Sequence, residues 1–365
     1  MISELEADVR HLAETIGERN METEGSMAET TDWICSRMQE AGYRPERHSY
    51  ILGAPAISAQ SDLAADNIIA EIPGTSPGAT SPKSSATSLK SSATSPKSSA
   101  SSPGVPADAP ENLADASSDA PKTPVDAPDA AAEASSTNTK HHVDPPATSP
   151  GEIVIIGAHY DSVPLSPGAN DNASALAVLL AMATRLRTWK PRRTIRLVAF
   201  ANEEPPYFLT SDMGSYAYAA RCKERGEQIA AMIALDGVGC FSDEPGSQQY
   251  PVPGLGLRYP DKGDFIGMVT RLHDRKLLRR VLQTFRNHAQ IPAEGAALPS
   301  WVPGVYWSDH WSFWQHEYPA LLVTDTLPYR DPHYHTPADT ADRLDFARMA
   351  QVADGLVTVV KSLSG

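Results

Sequence analysis

Seven side chains in this sequence could hold or serve a metal ion: His159, Asp161, Asp171, Glu203, Glu204, Asp236 and His335. Two imidazoles together with several carboxylates suit zinc or a similar divalent cation. A set of this size is enough for two ions that share one carboxylate, as in the two-metal hydrolases. None of the seven is persuasive alone. An Asp beyond a strand is more often a turn or capping residue. An adjacent Glu pair is usually a solvated loop. The signal is that each lies in the connection leaving a stretch that reads as a buried strand.

Those stretches must do the positioning. Residues 153–156 form an apolar run, IVII, that ends at Gly157. Such a run is what a strand covered on both faces looks like. His159 and Asp161 follow it directly, and Asp171 precedes a helical stretch over 173–186. The next buried strand, 194–201, ends at the Glu203–Glu204 pair. A helix is expected over 213–225, then a strand over 229–235 that ends at Asp236. A helix over 277–288, a strand over 320–325 and a helix over 345–363 complete the series, with His335 in the turn after the strand. Strands alternating with helices imply a largely parallel sheet with helices on both faces. Ligands in such sheets collect at the carboxyl ends of the strands. Upstream, Leu5, Val9, Leu12 and Ile16 recur at helical spacing. A second helix is carried by Met27, Trp33, Ile34 and Met38 and closed by Gly42. Strands are expected at 44–52 and 67–72.

Residues 75–150 differ abruptly. They contain no Phe, Trp or Tyr, and they repeat a seven-residue unit, ATSPKSS at 79–85, ATSLKSS at 86–92 and ATSPKSS at 93–99. The units lack the apolar a and d positions of a coiled coil. The stretch cannot bury enough apolar surface to offset its ordering entropy. It is expected to be a disordered Ser/Ala/Pro-rich insertion, and its His141 and His142 to be solvated. The chain then divides into 1–74, an N-terminal part of the catalytic domain, the insertion 75–150, and 151–365, which holds every metal ligand.

The formal net charge of −14 argues against a nucleic-acid partner. Three cysteines are too few and too scattered for a disulfide framework, and they read as small buried hydrophobes. The N-terminal residues are charged and amphipathic, and no stretch reads as a signal peptide or a membrane span. A cytoplasmic protein without a membrane partner is the expectation. Nothing fixes the oligomeric state.

Six short motifs occur in order: GAHYDS (157–162), GANDNAS (168–174), NEE (202–204), LDGVG (235–239), SDHWSFW (308–314) and HYHTPADT (333–340). Together they resemble the zinc-dependent exopeptidases that include bacterial leucyl aminopeptidases, glutamate carboxypeptidases and, as a divergent branch, glutaminyl cyclases. The resemblance runs across nearly all of residues 153–364. It implies an α/β fold, a three-layer α/β/α sandwich around a mostly parallel mixed sheet. It also implies two zinc ions, one held by His159 and Asp236, the other by Glu204 and His335, with Asp171 between them. Glu203 would be the general base, and Asp161 would steady the second ring nitrogen of His159. His310 and Tyr306 are candidates to stabilise a tetrahedral intermediate. The sequence departs from the family in two places. The stretch after the Glu pair, PPYFLTSDMGS, is longer than in the leucyl aminopeptidases and closer to the cyclases. Position 334 is Tyr where the cyclases carry Trp.

Three readings compete: a dizinc aminopeptidase, a glutaminyl cyclase with one zinc, and a metal-stabilised binding protein without catalysis. An acidic rim gives a free α-amino group something to pair with, which favours the first. Rings cluster near the motifs at Tyr207, Phe208, Phe241, Trp301, Tyr306 and Trp307, and apolar walls are usual in a small-molecule pocket. Arg and Lys are sparse there, which disfavours acidic substrates. The expected substrate is a short peptide with a free, apolar N-terminal residue.

Overall fold

The computed structural model of the chain describes residues 1–53, 64–75 and 151–365. The stretch expected to be a disordered insertion lies, from residue 76 on, outside the described residues. The described ones all belong to one compact unit.

Eight strands form one sheet in the order β1-β2-β4-β3-β5-β8-β6-β7. They are β1 (Glu46–Ile51), β2 (Ala64–Ile72), β3 (Glu152–His159), β4 (Thr194–Phe200), β5 (Gln228–Leu235), β6 (Ile266–Arg271), β7 (Ala293–Leu298) and β8 (Ala320–Thr324). Among the described residues seven α-helices accompany them: α1 (Ile2–Arg10), α2 (Ser26–Glu40), α3 (Ala175–Leu186), α4 (Gly214–Glu224), α5 (Arg275–His288), α6 (His310–Gln315) and α7 (Phe346–Ser364). The expected α/β sandwich is what forms. Among the described residues no helix is long and apolar enough to cross a membrane.

The sheet is mixed. Strands β4, β3, β5 and β8 run parallel side by side, so their carboxyl ends share one edge. The β2 and β6 strands run against them on either flank. Alternation along β3 explains how both faces are filled. Val154, Ile156 and Ala158 face a core shared with α1, α2, α3, α5 and α7. Ile153 and Ile155 face the other way, toward α4 and α6, where Phe200, Tyr218 and Phe313 pack. Because β3 is covered on both faces, it shows no polar alternation in sequence.

Two strands were not expected. The β6 strand, IGMVTR, is short. The β7 strand, AEGAAL, is rich in Ala and Gly, which strands disfavour, and lies half-exposed at the sheet edge. Strands consecutive in sequence are expected to lie side by side, and the pair on either side of the 75–150 stretch departs from this. The ends of the 75–150 stretch do not join neighbouring strands, because β4 lies between β2 and β3.

Candidate metal centre

The parallel strands deliver their next residues to one rim. His159 ends β3, Glu203 and Glu204 lie just beyond β4, and Asp236 directly follows β5. Asp171 comes from the loop between β3 and α3, and His335 from the loop after β8. The structure brings all six together.

Asp171 stands at the centre. Its Oδ1 lies 3.3 Å from His159 Nε2, and its Oδ2 lies 3.1 Å from His335 Nε2. His159 Nε2 is also 3.3 Å from Asp236 Oδ1, while His335 Nε2 is 3.2 Å from Glu204 Oε2. Two half-clusters therefore share one carboxylate. Glu203 Oε2 stands farther off, 3.9 Å from His159 Nε2.

Polar side chains fix this geometry through the backbone. Asp161 accepts from the Glu203 N–H at 3.1 Å and the Glu204 N–H at 3.0 Å. The same carboxylate lies 3.5 Å from His159 Nδ1, so one residue ties two strand ends together. Asp339 does the same for the bridging residue, accepting from the N–H groups of Asn170 at 2.7 Å and Asp171 at 3.1 Å. Asn172 donates to Leu235 O and accepts from Gly237 N, both at 3.0 Å, which clamps the backbone on either side of Asp236. Beneath them Arg19 is wholly buried. It donates to five carbonyls, those of Leu12, Gly17, Tyr160, Pro167 and Gly168.

The electrostatics call for cations. Burial opposes a charge on His159, yet Glu203, Asp161, Asp171 and Asp236 outweigh it and hold its pKa well above the imidazole range. Burial likewise opposes a charge on His335, but Glu204 and Asp171 push it up to about 11. Glu203 is raised well above the carboxylate range by burial, then by Glu204, Asp236 and Asp309, against the pull of His159. Glu204 is raised to about 7 by burial and Asp171, with His335 and His159 opposing. Buried carboxylates outnumber the two imidazoles, and the Arg19 guanidinium is already bonded to carbonyls. The donor set, nitrogen and carboxylate oxygen in three overlapping groups, one of which includes Glu203, fits divalent cations of the zinc type.

Among the described residues His310 and Tyr306 make no hydrogen bond or ion pair with the cluster. His310 is fully buried, with Nε2 2.8 Å from Val305 O and its ring edge-on to Trp314. Burial lowers its pKa to about 4. Of the rings expected to line a pocket, Tyr207 borders a cleft together with Glu204, and Tyr306 packs edge-on against Trp307. Trp301 is largely exposed, Trp307 stacks on Tyr329, and Phe241 sits beside Arg330 and Arg348.

Three residues at the site were not singled out in the sequence. Asp309 is fully buried without a hydrogen-bond partner among the described residues, and burial raises its pKa to about 7. Asp339 and Tyr334 both lie in the HYHTPADT motif. Burial and the surrounding carboxylates, Asp171 first, drive the Tyr334 hydroxyl far above the phenol range. Their membership of the motif was the available signal.

The model of peptidase family M28 matches residues 141–360. The uncharacterized protein YfbL of Escherichia coli (strain K12) is 42% identical over 218 residues, which are 58% of this chain and 67% of that protein. Leucine aminopeptidase 1 of Arthroderma otae is 30% identical over 237 residues, 60% of this chain and 57% of that protein. The chain thus spans little more than half the length of that aminopeptidase. A Zn-dependent exopeptidase from Parabacteroides distasonis superposes with a TM-score of 0.58 at 15% identity, covering 99% of this chain and 98% of that one. At that identity the likeness concerns the fold.

Proposed function

The chain belongs to peptidase family M28, and from that premise we propose that it is a zinc-dependent aminopeptidase that removes the N-terminal residue of short peptides. The observation that carries this reading is the division of the Asp171 carboxylate, one oxygen toward His159 and the other toward His335. In this reading His159 and Asp236 hold one ion, Glu204 and His335 the other, and Asp171 both. When bound, such a pair would acidify a water molecule and polarise the scissile carbonyl.

The protein's own groups do the rest. Glu203, set back from the two half-clusters, takes the water proton and passes it to the leaving amine. Asp161 holds the Glu203 and Glu204 backbone still while this happens. The excess of buried carboxylate attracts the free α-ammonium of a peptide. The name of the Arthroderma otae relative supports leucine and similar apolar residues at that position.

The test combines metal content with three substrates. Dialysed protein should carry two zinc ions, lose activity to a chelator and regain it with zinc. It should cleave leucine anilide but not N-acetyl-leucine anilide, whose amine is blocked. One zinc per chain, with pyroglutamate formed from a glutaminyl peptide and no anilide cleavage, would establish a cyclase instead.

A further inference from the structure

A cleft of about 370 Å³, its open mouth included, shares Glu204 as a wall with the metal cluster. Three segments line it: Asn20 to Glu22 after α1, Asp161 and Ser162 after β3, and Asn202 with Pro205 to Tyr207 after β4.

Two of its side chains hold amide groups that the fold leaves unused. Asn20 Oδ1 accepts from the N–H groups of Glu22 at 3.1 Å and Thr23 at 3.0 Å, and from the Thr23 hydroxyl at 3.2 Å. Those bonds fix the amide plane, and the buried Nδ2 on its other side has no acceptor among the described residues. Asn202 is fully buried with the Tyr50 hydroxyl as its polar neighbour, and its Oδ1 has no hydrogen-bond partner among the described residues. Unmade hydrogen bonds at buried amides are costly, so native structures that keep them have a ligand or water to meet them.

The chemistry of these groups selects the ligand. An amide donor and an amide acceptor match a peptide group. A carboxylate is disfavoured, because Glu22, Asp161 and Glu204 line the cleft and no Lys or Arg does. Arg19, next in sequence, is committed to its five carbonyls. The mouth at exposed Glu22 lets a chain continue into solvent, which the leaving side of a substrate requires and an N-terminal residue does not.

We propose that this cleft receives the peptide bond that follows the scissile one, with Asn20 and Asn202 pairing with its carbonyl and N–H. The inference rests on the aminopeptidase reading above. It follows that a free dipeptide is a poor substrate, since its terminal carboxylate would fall among three acidic side chains. A dipeptide amide or a tripeptide places an amide there instead.

The test uses the zinc-loaded full chain with Leu-Gly, Leu-Gly-amide and leucine anilide, the last lacking any group for the cleft. Leu-Gly-amide should exceed Leu-Gly in kcat/KM by about tenfold, the scale of one or two hydrogen bonds and a removed repulsion. Asn20→Asp keeps the oxygen that Glu22 and Thr23 need but replaces the donor. It should lower kcat/KM for Leu-Gly-amide about tenfold more than for leucine anilide. Equal use of acid and amide, or a variant that scales amide and anilide alike, overturns the cleft assignment. Absence of turnover on every substrate would instead sink the aminopeptidase reading. Calorimetry on Glu203→Gln then decides the cleft alone. Tighter binding of Leu-Gly-amide than Leu-Gly, abolished by adding Asn20→Asp, upholds it, and any other result overturns it.

Discussion

Replacing Glu203 by Gln removes a proton acceptor without removing a donor atom from either half-cluster around Asp171. Zinc content should therefore stay at the wild-type level while kcat falls by about 10²–10⁴-fold. Glu204→Gln should do the reverse, weakening zinc retention, because Glu204 Oε2 is one of the two oxygens facing His335 Nε2. Metal analysis and kinetics on the same preparations separate the two, and zinc loss from Glu203→Gln would break the assignment of roles. Glu203 and Glu204 could be read from sequence because acids at a strand end stand out. Beyond their place in the quoted motifs, Asp339 and Asn172 carried no sign of a role at the site. They act on backbone N–H and C=O groups, and a side chain that bonds to backbone leaves no pattern of residue types. Buried Asp309 escaped notice for a related reason: only the fold shows that it lacks a partner.

The strands impose a stricter condition than their apolar composition suggests. A Cβ on Gly157 would run into the Phe200 ring of the neighbouring strand β4. Gly157→Ala should therefore push β3 off β4 two residues before His159, costing about 1–3 kcal/mol of overpacking strain. Thermal melts should show the loss, and zinc affinity should fall with it. Unchanged zinc affinity would mean that the rim tolerates movement of β3. As a control, Gly355→Ala wedges α7 against Phe285 of α5, away from the site, and should lower stability alone. The central parallel strands were legible because each is a short apolar run closed by a chemically distinctive residue. The β6 and β7 strands were not, since one is short and the other is built from residues that favour no strand. The α6 helix escaped for its brevity, six residues being under two turns.

At the scale of the whole molecule, the two described stretches on either side of the 76–150 segment meet across β4. Ile72 and Val154 both register with Ile195, from opposite sides. Two strand spacings are about 10 Å, and an extended residue spans at most ~3.6 Å. Fusing Thr75 directly to Pro150 would therefore strain the connection. Replacing residues 76–149 with four to six Gly and Ser residues should not. That variant should fold, bind zinc and turn over substrate like the full chain, and insoluble or metal-free protein would show that the segment is needed. The first stretch is no mere appendage, however. It supplies β2, which pairs with both β1 and β4, and Arg19, whose guanidinium holds the loops behind His159 and Asp171. Covalent continuity between the stretches does none of this; hydrogen bonds and packing do. The molecule can accordingly be treated as two complementary halves, residues 1–75 and 151–365, made as separate polypeptides. The proposed activity would then become a reporter of their reunion, since the larger half carries all the proposed metal ligands but has no Arg19 to hold their loops in place.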